Sequence, residues 1–283
     1  MQLDSMTKTQ AIVRICVGFF LLVGFAWMPS SVITVKGSDT MVQLAQRWAE
    51  KYMKDNNRVQ IQVTGGGSGT GISALINGTT EICLSSRPMK DSEKLKLRER
   101  FGTTGIEVRT AKDGLTVYMN HTNPVKELSF EQIRGIYTGK IKNWKDVGGK
   151  DAAIILYGRE NSSGTYAFFK EHVLRNQDYA NAMQALPGTA AVVNAVRKDP
   201  NGIGFGGAGY SEGIKEAAVR ASSTGEAYLP SKDNVTSGKY PITRYLYLYL
   251  RNKPQGETRA FIDWVLSPEG QSIVTTEGYF PIR

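Results

Sequence analysis

Three short segments of the chain carry residue types that suit oxyanions. Gly37-Ser38-Asp39-Thr40, Gly67-Ser68-Gly69-Thr70-Gly71 and Ser162-Ser163-Gly164-Thr165 each combine hydroxyl side chains with at least one glycine. Each follows an apolar run of strand character and precedes a helical repeat. The first N–H groups of a helix lack intrahelical partners and carry partial positive charge. Glycine admits close approach of the backbone, and Ser or Thr adds a donor, so such turns are good anion sites. One turn of this kind is an ordinary helix cap. Three in one chain, with Arg159 four residues before Ser163, point to a shared anion site, because a guanidinium fork matches an oxyanion. Arg87 follows a further pair, Ser85-Ser86, at a strand end, as an anion ligand or in a surface ion pair.

Other chemistries lack their parts. Gly66-Gly67-Ser68-Gly69-Thr70 misses the last glycine of a hydrolase nucleophile elbow. No lysine follows a glycine as a nucleotide P-loop requires. Gly202-Ile203-Gly204-Phe205-Gly206-Gly207 matches G-x-G-x-x-G but contains its own strand residues, so the dinucleotide context is missing. His121 and His172 lie apart from the serine turns in sequence, the first in a turn and the second on a charged helix face. With two Cys and two His in the whole chain, a disulfide framework or a zinc site has too few ligands. Cys83, between Ile82 and Leu84, reads as a small core residue.

The turns need elements to hold them. Ile33-Thr34-Val35 reads as a buried strand; Met41, Ala45, Trp48 and Tyr52 then recur at helical spacing. Val59, Ile61 and Val63 alternate as a strand does, and Ile72, Leu75 and Ile76 give a short helical face. Ile82 to Leu84 is a third strand, followed by a charged helix from Asp91 to Arg100 and a strand at Ile106 to Val108. This β-α alternation predicts parallel sheet covered by helices. Around Asp113-Gly114 the chain enters a second unit with strands at Leu115–Met119, Ile154–Leu156 and Ile203–Phe205, and helices at Tyr166–Leu174 and Thr189–Arg197. Ser222 to Lys239 is the loosest stretch. Tyr240 to Leu250 alternates as a long strand, and two helices close the chain.

The 283 residues suit about two compact units, and 41% hydrophobic with 22% charged residues excludes disordered, fibrous and multi-span membrane classes. The net charge of +9 suits an anionic partner, but the basic residues are scattered and no nucleic-acid motif is present. At the start, Lys8 and Arg14 precede an uncharged run from Ile15 to Met28. As a helix that run spans about 21 Å, short of the ~30 Å hydrocarbon core, so residues 1–31 read as a secretory signal, with an uncleaved anchor as the other reading.

Gly37 to Thr40, Gly65 to Gly71, Ser85 to Pro88, Arg159 to Thr165, and Ser267-Pro268-Glu269-Gly270-Gln271 through Gly278-Tyr279 together resemble one known family. It is the substrate-binding protein of bacterial phosphate ABC importers, and the likeness covers essentially the whole chain after residue 31. The resemblance implies an α/β fold of the two-lobe periplasmic-binding-protein type (type II), each lobe a mainly parallel sheet flanked by helices. Lobe 1 takes residues 32–113, lobe 2 residues 114–239, and residues 240–283 return to lobe 1. It implies a periplasmic or otherwise exported monomer, not an enzyme, that captures inorganic phosphate between its lobes and delivers it to an ABC-transporter permease in the inner membrane. No cofactor, metal or nucleic acid enters. The implied phosphate ligands are Ser38, Thr40, Ser68, Arg159, Ser163, Gly164 and Thr165. Many members place an Asp after the third strand to accept the proton of hydrogen phosphate; here Arg87 stands there, as a possible second positive charge. The proton acceptor then falls to Asp39, Glu160 or a hydroxyl. Two other readings stay open: a binding protein for another tetrahedral oxyanion (sulfate, molybdate or tungstate), and an exported serine hydrolase, which needs a histidine within reach of Ser68 or Ser163.

Overall fold

The computed structural model describes residues 31–282, so all but the last residue of the expected export signal lies outside them. Strand β1 (Ser31–Gly37) buries Ile33 and Val35, and helix α1 (Asp39–Asp55) lays Met41, Leu44, Ala45, Trp48, Ala49 and Tyr52 on one side. That stripe recurs at three- and four-residue intervals, as an amphipathic helix requires. Strand β2 (Val59–Thr64), helix α2 (Ser68–Asn77), strand β3 (Ile82–Ser85) and helix α3 (Asp91–Phe101) repeat the unit. Strand β4 (Ile106–Met119) then runs for fourteen residues. After it come β5 (Glu127–Ser129), α4 (Phe130–Tyr137), β6 (Ile155–Arg159), α5 (Gly164–His172), β7 (Gln184–Leu186), α6 (Thr189–Lys198) and β8 (Gly202–Gly207). The short strands β9 (Lys215–Glu216) and β10 (Ala218–Arg220) and helix α7 (Lys232–Thr236) lead to β11 (Thr243–Leu250), α8 (Gly256–Val265) and α9 (Pro268–Thr276). Among the described residues no helix is long and apolar enough to cross a membrane.

The main sheet has the order β2-β1-β3-β11-β4-β8-β6-β7, with β9 on β4. Strands β1, β2 and β3 are mutually parallel, as are β6, β7 and β8. Strand β11 is antiparallel to both β3 and β4, and β4 is antiparallel to β8. The β1–β3 group therefore runs with β4 and the β6–β8 group runs against it. Their carboxyl ends face each other. Ser85 at the end of β3 is level, through Tyr247, with Arg109 of β4, and Gly207 at the end of β8 is level with Leu115. Ligands of open α/β sheets bind outside strand carboxyl ends, and this topology brings two sets of them to one place.

Two hydrophobic cores flank that place. One includes Val35, Trp48, Ala111, Leu246 and Tyr279; the other includes Leu115, Tyr137, Phe205, Ile242 and Phe280. The first gives way to the second between Ala111 and Leu115 on β4 and between Ile242, just before β11, and Leu246 on it.

The sequence reads two strands either side of Asp113-Gly114; the structure makes them one. Asp113 has the chemistry of a turn residue, but here it is wholly buried and paired with Arg244. Gly114 is needed for packing rather than for a turn: a Cβ there would lie 2.7 Å from Pro230 Cβ and 3.0 Å from Val235 Cγ2.

Candidate functional site

The first turn sits where β1 ends against β3. A Cβ on Gly37, at φ +147°, would fall 2.1 Å from Leu84 O, so only glycine lets the strands pass. Ser38 N donates to Leu84 O at 2.9 Å, and its side chain makes no capping bond to α1. Asp39 Oδ1 accepts from Gly66 N at 2.8 Å, which ties this turn to the glycine-rich loop. Gly67 N donates to Gly37 O at 3.0 Å. Ser68, the first residue of α2, is fully buried; it accepts from Ser86 N at 3.0 Å and faces Ser86 Oγ at 3.3 Å.

The third turn reaches these two from the other core. Gly69 N donates to Ser162 O at 2.8 Å. A Cβ on Gly164 would lie 2.2 Å from Ser68 Oγ and 2.7 Å from Ser86 Oγ. Thr40 Oγ1 and Thr165 Oγ1 are 2.8 Å apart, both residues buried. Ser163 Oγ caps α5 by accepting from Tyr166 N at 3.3 Å, which leaves its hydroxyl proton free to donate elsewhere. The N-termini of α1, α2 and α5 thus meet, with three sets of partly unpaired N–H groups at one point.

Arg159, the last residue of β6, lies beneath them at 1% exposure. Its Nη1 donates to Thr189 Oγ1 at 3.0 Å and its Nη2 to Asp39 Oδ2 at 2.6 Å. Its Nε and the Glu160 Oε2 opposite, 3.5 Å away, are both buried without a hydrogen bond. Tyr210 donates to the Asp39 carbonyl at 2.8 Å, and Tyr279 to the Thr40 carbonyl at 2.6 Å. Burial first, and then the Asp39 charge, push the Tyr210 phenol up to about 12, so it stays a neutral donor. Buried anions demand saturation by donors, and here helix ends, hydroxyls and a guanidinium supply them.

Six of the eight candidates (Ser38, Thr40, Ser68, Ser163, Gly164 and Thr165) fall in these three turns, and Arg159, at the end of β6, lies beneath them. Arg87 does not join them. Its Nη1 and Nη2 grip Glu93 at 2.8 and 2.7 Å, and Nη1 also donates to Pro88 O. The acid sits at the third position of α3, where it also accepts from Lys90 N, so a local capping arrangement captures the arginine. Burial opposes the charge of Glu93, but the hydrogen bonds from Arg87 and Lys90 N outweigh it and hold the carboxyl below its ordinary value.

Sequence reasoning missed Arg244, Ser86 as a contact of Ser68, and Thr189. Arg244 stands immediately before the alternating run Tyr245-Leu246-Tyr247-Leu248, where only the buried strand is visible. Neither histidine is hydrogen-bonded to Ser68 or Ser163: His172 Nδ1 is 3.0 Å from Phe168 O, and the two serines have the partners given above. Among the described residues no cluster of three His, Cys, Asp or Glu is placed to hold a metal ion.

The PBP superfamily domain matches residues 26–269. The phosphate-binding protein PstS of Pseudomonas aeruginosa is 34% identical over 263 residues, covering 87% of this chain and 81% of that one. The chain belongs to the PstS family of phosphate-binding proteins. The Bacillus subtilis PstS is 33% identical, with 89% and 81% coverage. Among solved structures, a Clostridium perfringens protein crystallised with bound phosphate superposes with a TM-score of 0.82 at 29% identity, covering 89% of this chain and all of that one. An ABC-type phosphate transport receptor from Vibrio cholerae gives 0.70 at 28% identity, with 88% and 99% coverage. The expected α/β periplasmic-binding-protein fold is therefore the fold of this chain.

Proposed function

We propose that this protein captures inorganic phosphate where the three turns meet and delivers it to the permease of an ABC importer. The observation that carries this reading is the meeting of three helix N-termini, from two separate cores, around a buried arginine, Arg159, whose Nε makes no hydrogen bond and lies 3.5 Å from the Glu160 carboxylate. The ligands are Ser38, Thr40, Ser68, Arg159, Ser163, Gly164 and Thr165. Charge-assisted hydrogen bonds contribute about 1.5–3 kcal/mol each, so a handful suffices for a micromolar complex, which needs roughly −8 kcal/mol net of closure.

The two cores act as lobes, the first from residues 32–113 with most of 240–283 and the second from residues 114–239 with Tyr240, Ile242 and Phe280, hinged near Asp113–Gly114 and along the return of β11. The protein works as an exported monomer without cofactor. With Arg87 engaged by Glu93, the acceptor for the proton of hydrogen phosphate is Asp39, whose carboxylate lies 2.6 Å from Arg159. A carboxylate there disfavours a fully ionised anion, which selects phosphate over sulfate.

Isothermal titration of the purified protein with phosphate and with sulfate, at one pH below and one above the second ionisation of phosphate, tests the reading. Phosphate should bind at both and sulfate at neither. Sulfate binding that ignores pH would give the site to another tetrahedral oxyanion.

A further inference from the structure

Arg244 is a buried guanidinium that none of the phosphate contacts above uses. It is 4% exposed and sits on β11 in register with Asp113 of β4, where one core gives way to the other. Its Nε and Nη2 donate to Asp113 Oδ2 at 2.9 and 2.7 Å, and Asp113 Oδ1 accepts from Ala208 N at 3.0 Å. Its Nη1 donates to Ser86 O at 3.1 Å, and the second Nη2 proton goes to Thr165 Oγ1 at 3.0 Å. One planar fork therefore ties the end of β3, the crossing strand and the N-terminus of α5. Lysine, a compact ammonium, has no such geometry.

We infer that Arg244 is a positioning residue for the anion site, fixing Thr165 as a hydrogen-bond donor while Asp113 cancels its charge. A threonine hydroxyl has one proton and two lone pairs. The N–H of Arg244 takes a lone pair of Thr165 Oγ1, so the hydroxyl proton cannot point towards Arg244. It turns to Thr40 Oγ1, 2.8 Å away, or to an oxygen of a bound anion. Donation from a cation also polarises the O–H bond and strengthens it as a donor. The charge itself stays out of the anion's balance, because Asp113 neutralises it. The fork's hold on Ser86 sets the partner of Ser68 in the same way. Arg244 acts chiefly through Thr165, with its hold on Ser86 a minor brace, and does not touch the ligand.

This inference rests on the phosphate reading, and its test separates the two. Phosphate titrations compare the wild type, the paired variant Arg244→Gln with Asp113→Asn, Thr165→Val, and all three changes together. The paired variant removes both charges at once, so no buried charge is left uncompensated. It should weaken phosphate binding about tenfold in the wild-type background but by less than about twofold when Thr165 is already Val, because residues in one network are not additive. Equal losses in both backgrounds, or no loss in either, would overturn the role of Arg244. If thermal melts show the paired variant unfolded, Arg244→Lys, which keeps a charge beside Asp113, is read by the same two outcomes. A wild type that releases no heat with phosphate overturns the phosphate reading, and this inference with it.

Discussion

Arg159 and Arg87 each stand beside a pair of serines at the carboxyl end of a strand, and both are buried, at 1% and 8% exposure. Arg87 has a bidentate partner six residues away, Glu93, in the same strand-to-helix connection. Arg159 hydrogen-bonds a carboxylate 120 residues away, Asp39 in the other core, while its Nε lies 3.5 Å from the adjacent Glu160 without a hydrogen bond. A guanidinium saturated by its own loop builds that loop. One that is shared between cores and retains a buried donor can take a ligand and report its arrival to both. The difference lies in register: Arg159 is the last residue of β6, whereas Arg87 is two residues past the end of β3 and just before Pro88, which turns the chain towards α3.

The comparison breaks most sharply at Ser163. Ser163→Asp keeps an N-cap acceptor for α5, so the protein should fold, but it sets a carboxylate against an anion in the Arg159 turn. Phosphate binding should vanish in calorimetry. Normal affinity would reduce that turn to a helix cap and remove the contrast with Arg87.

Next in size is Arg159→Ala. Losing charge-assisted hydrogen bonds should weaken phosphate at least about tenfold, with the protein still folded by circular dichroism. Gly164→Ala tests the same turn from its backbone. The new Cβ would fall within 2.2 Å of Ser68 Oγ and 2.8 Å of Ser68 Cβ, so the two cores must move apart, and phosphate binding should weaken about fivefold, given the cost of overpacking. Small-angle scattering with phosphate present should show a larger radius of gyration than for the wild type; equal radii would mean that the helix ends have room to spare.

What the sequence reveals of this follows from distance along the chain. The three turns are visible because each is a local pattern of Gly, Ser and Thr between two hydrophobic periods. The alternation of strands and helices is visible for the same reason, as at Met41, Ala45, Trp48 and Tyr52. Arg244 is hidden because its meaning lies in Asp113, 131 residues away, and Thr165, 79 residues away, while its neighbours show only a buried strand. Arg87 misleads for the converse reason: the serines before it resemble an anion turn, and the local signal that matters, Glu93 at the third position of the next helix, belongs to a capping box. The continuous β4 is obscured because a buried, paired Asp113 looks like a turn until its partner is known.

The smallest effect sharpens the comparison from the Arg87 side. Arg87→Met keeps the apolar stem but removes the fork, so phosphate affinity should change by less than about twofold; a tenfold loss would place Arg87 with Arg159 after all. Stability should respond instead. The Glu93 carboxyl is held below its ordinary value in the folded protein, so the pair stabilises the fold fully above the ordinary glutamate range, about pH 4.3. That contribution fades as pH falls through the lowered folded value, where Glu93 takes up a proton. A partly buried pair of this kind contributes about 1 kcal/mol, or about 2–4 °C in melting temperature for a chain of this size. The wild type should therefore melt that much above Arg87→Met at pH 7, and the gap should close towards pH 3. A gap that persists undiminished in acid would assign the stabilisation to the packing of the arginine and not to its charge.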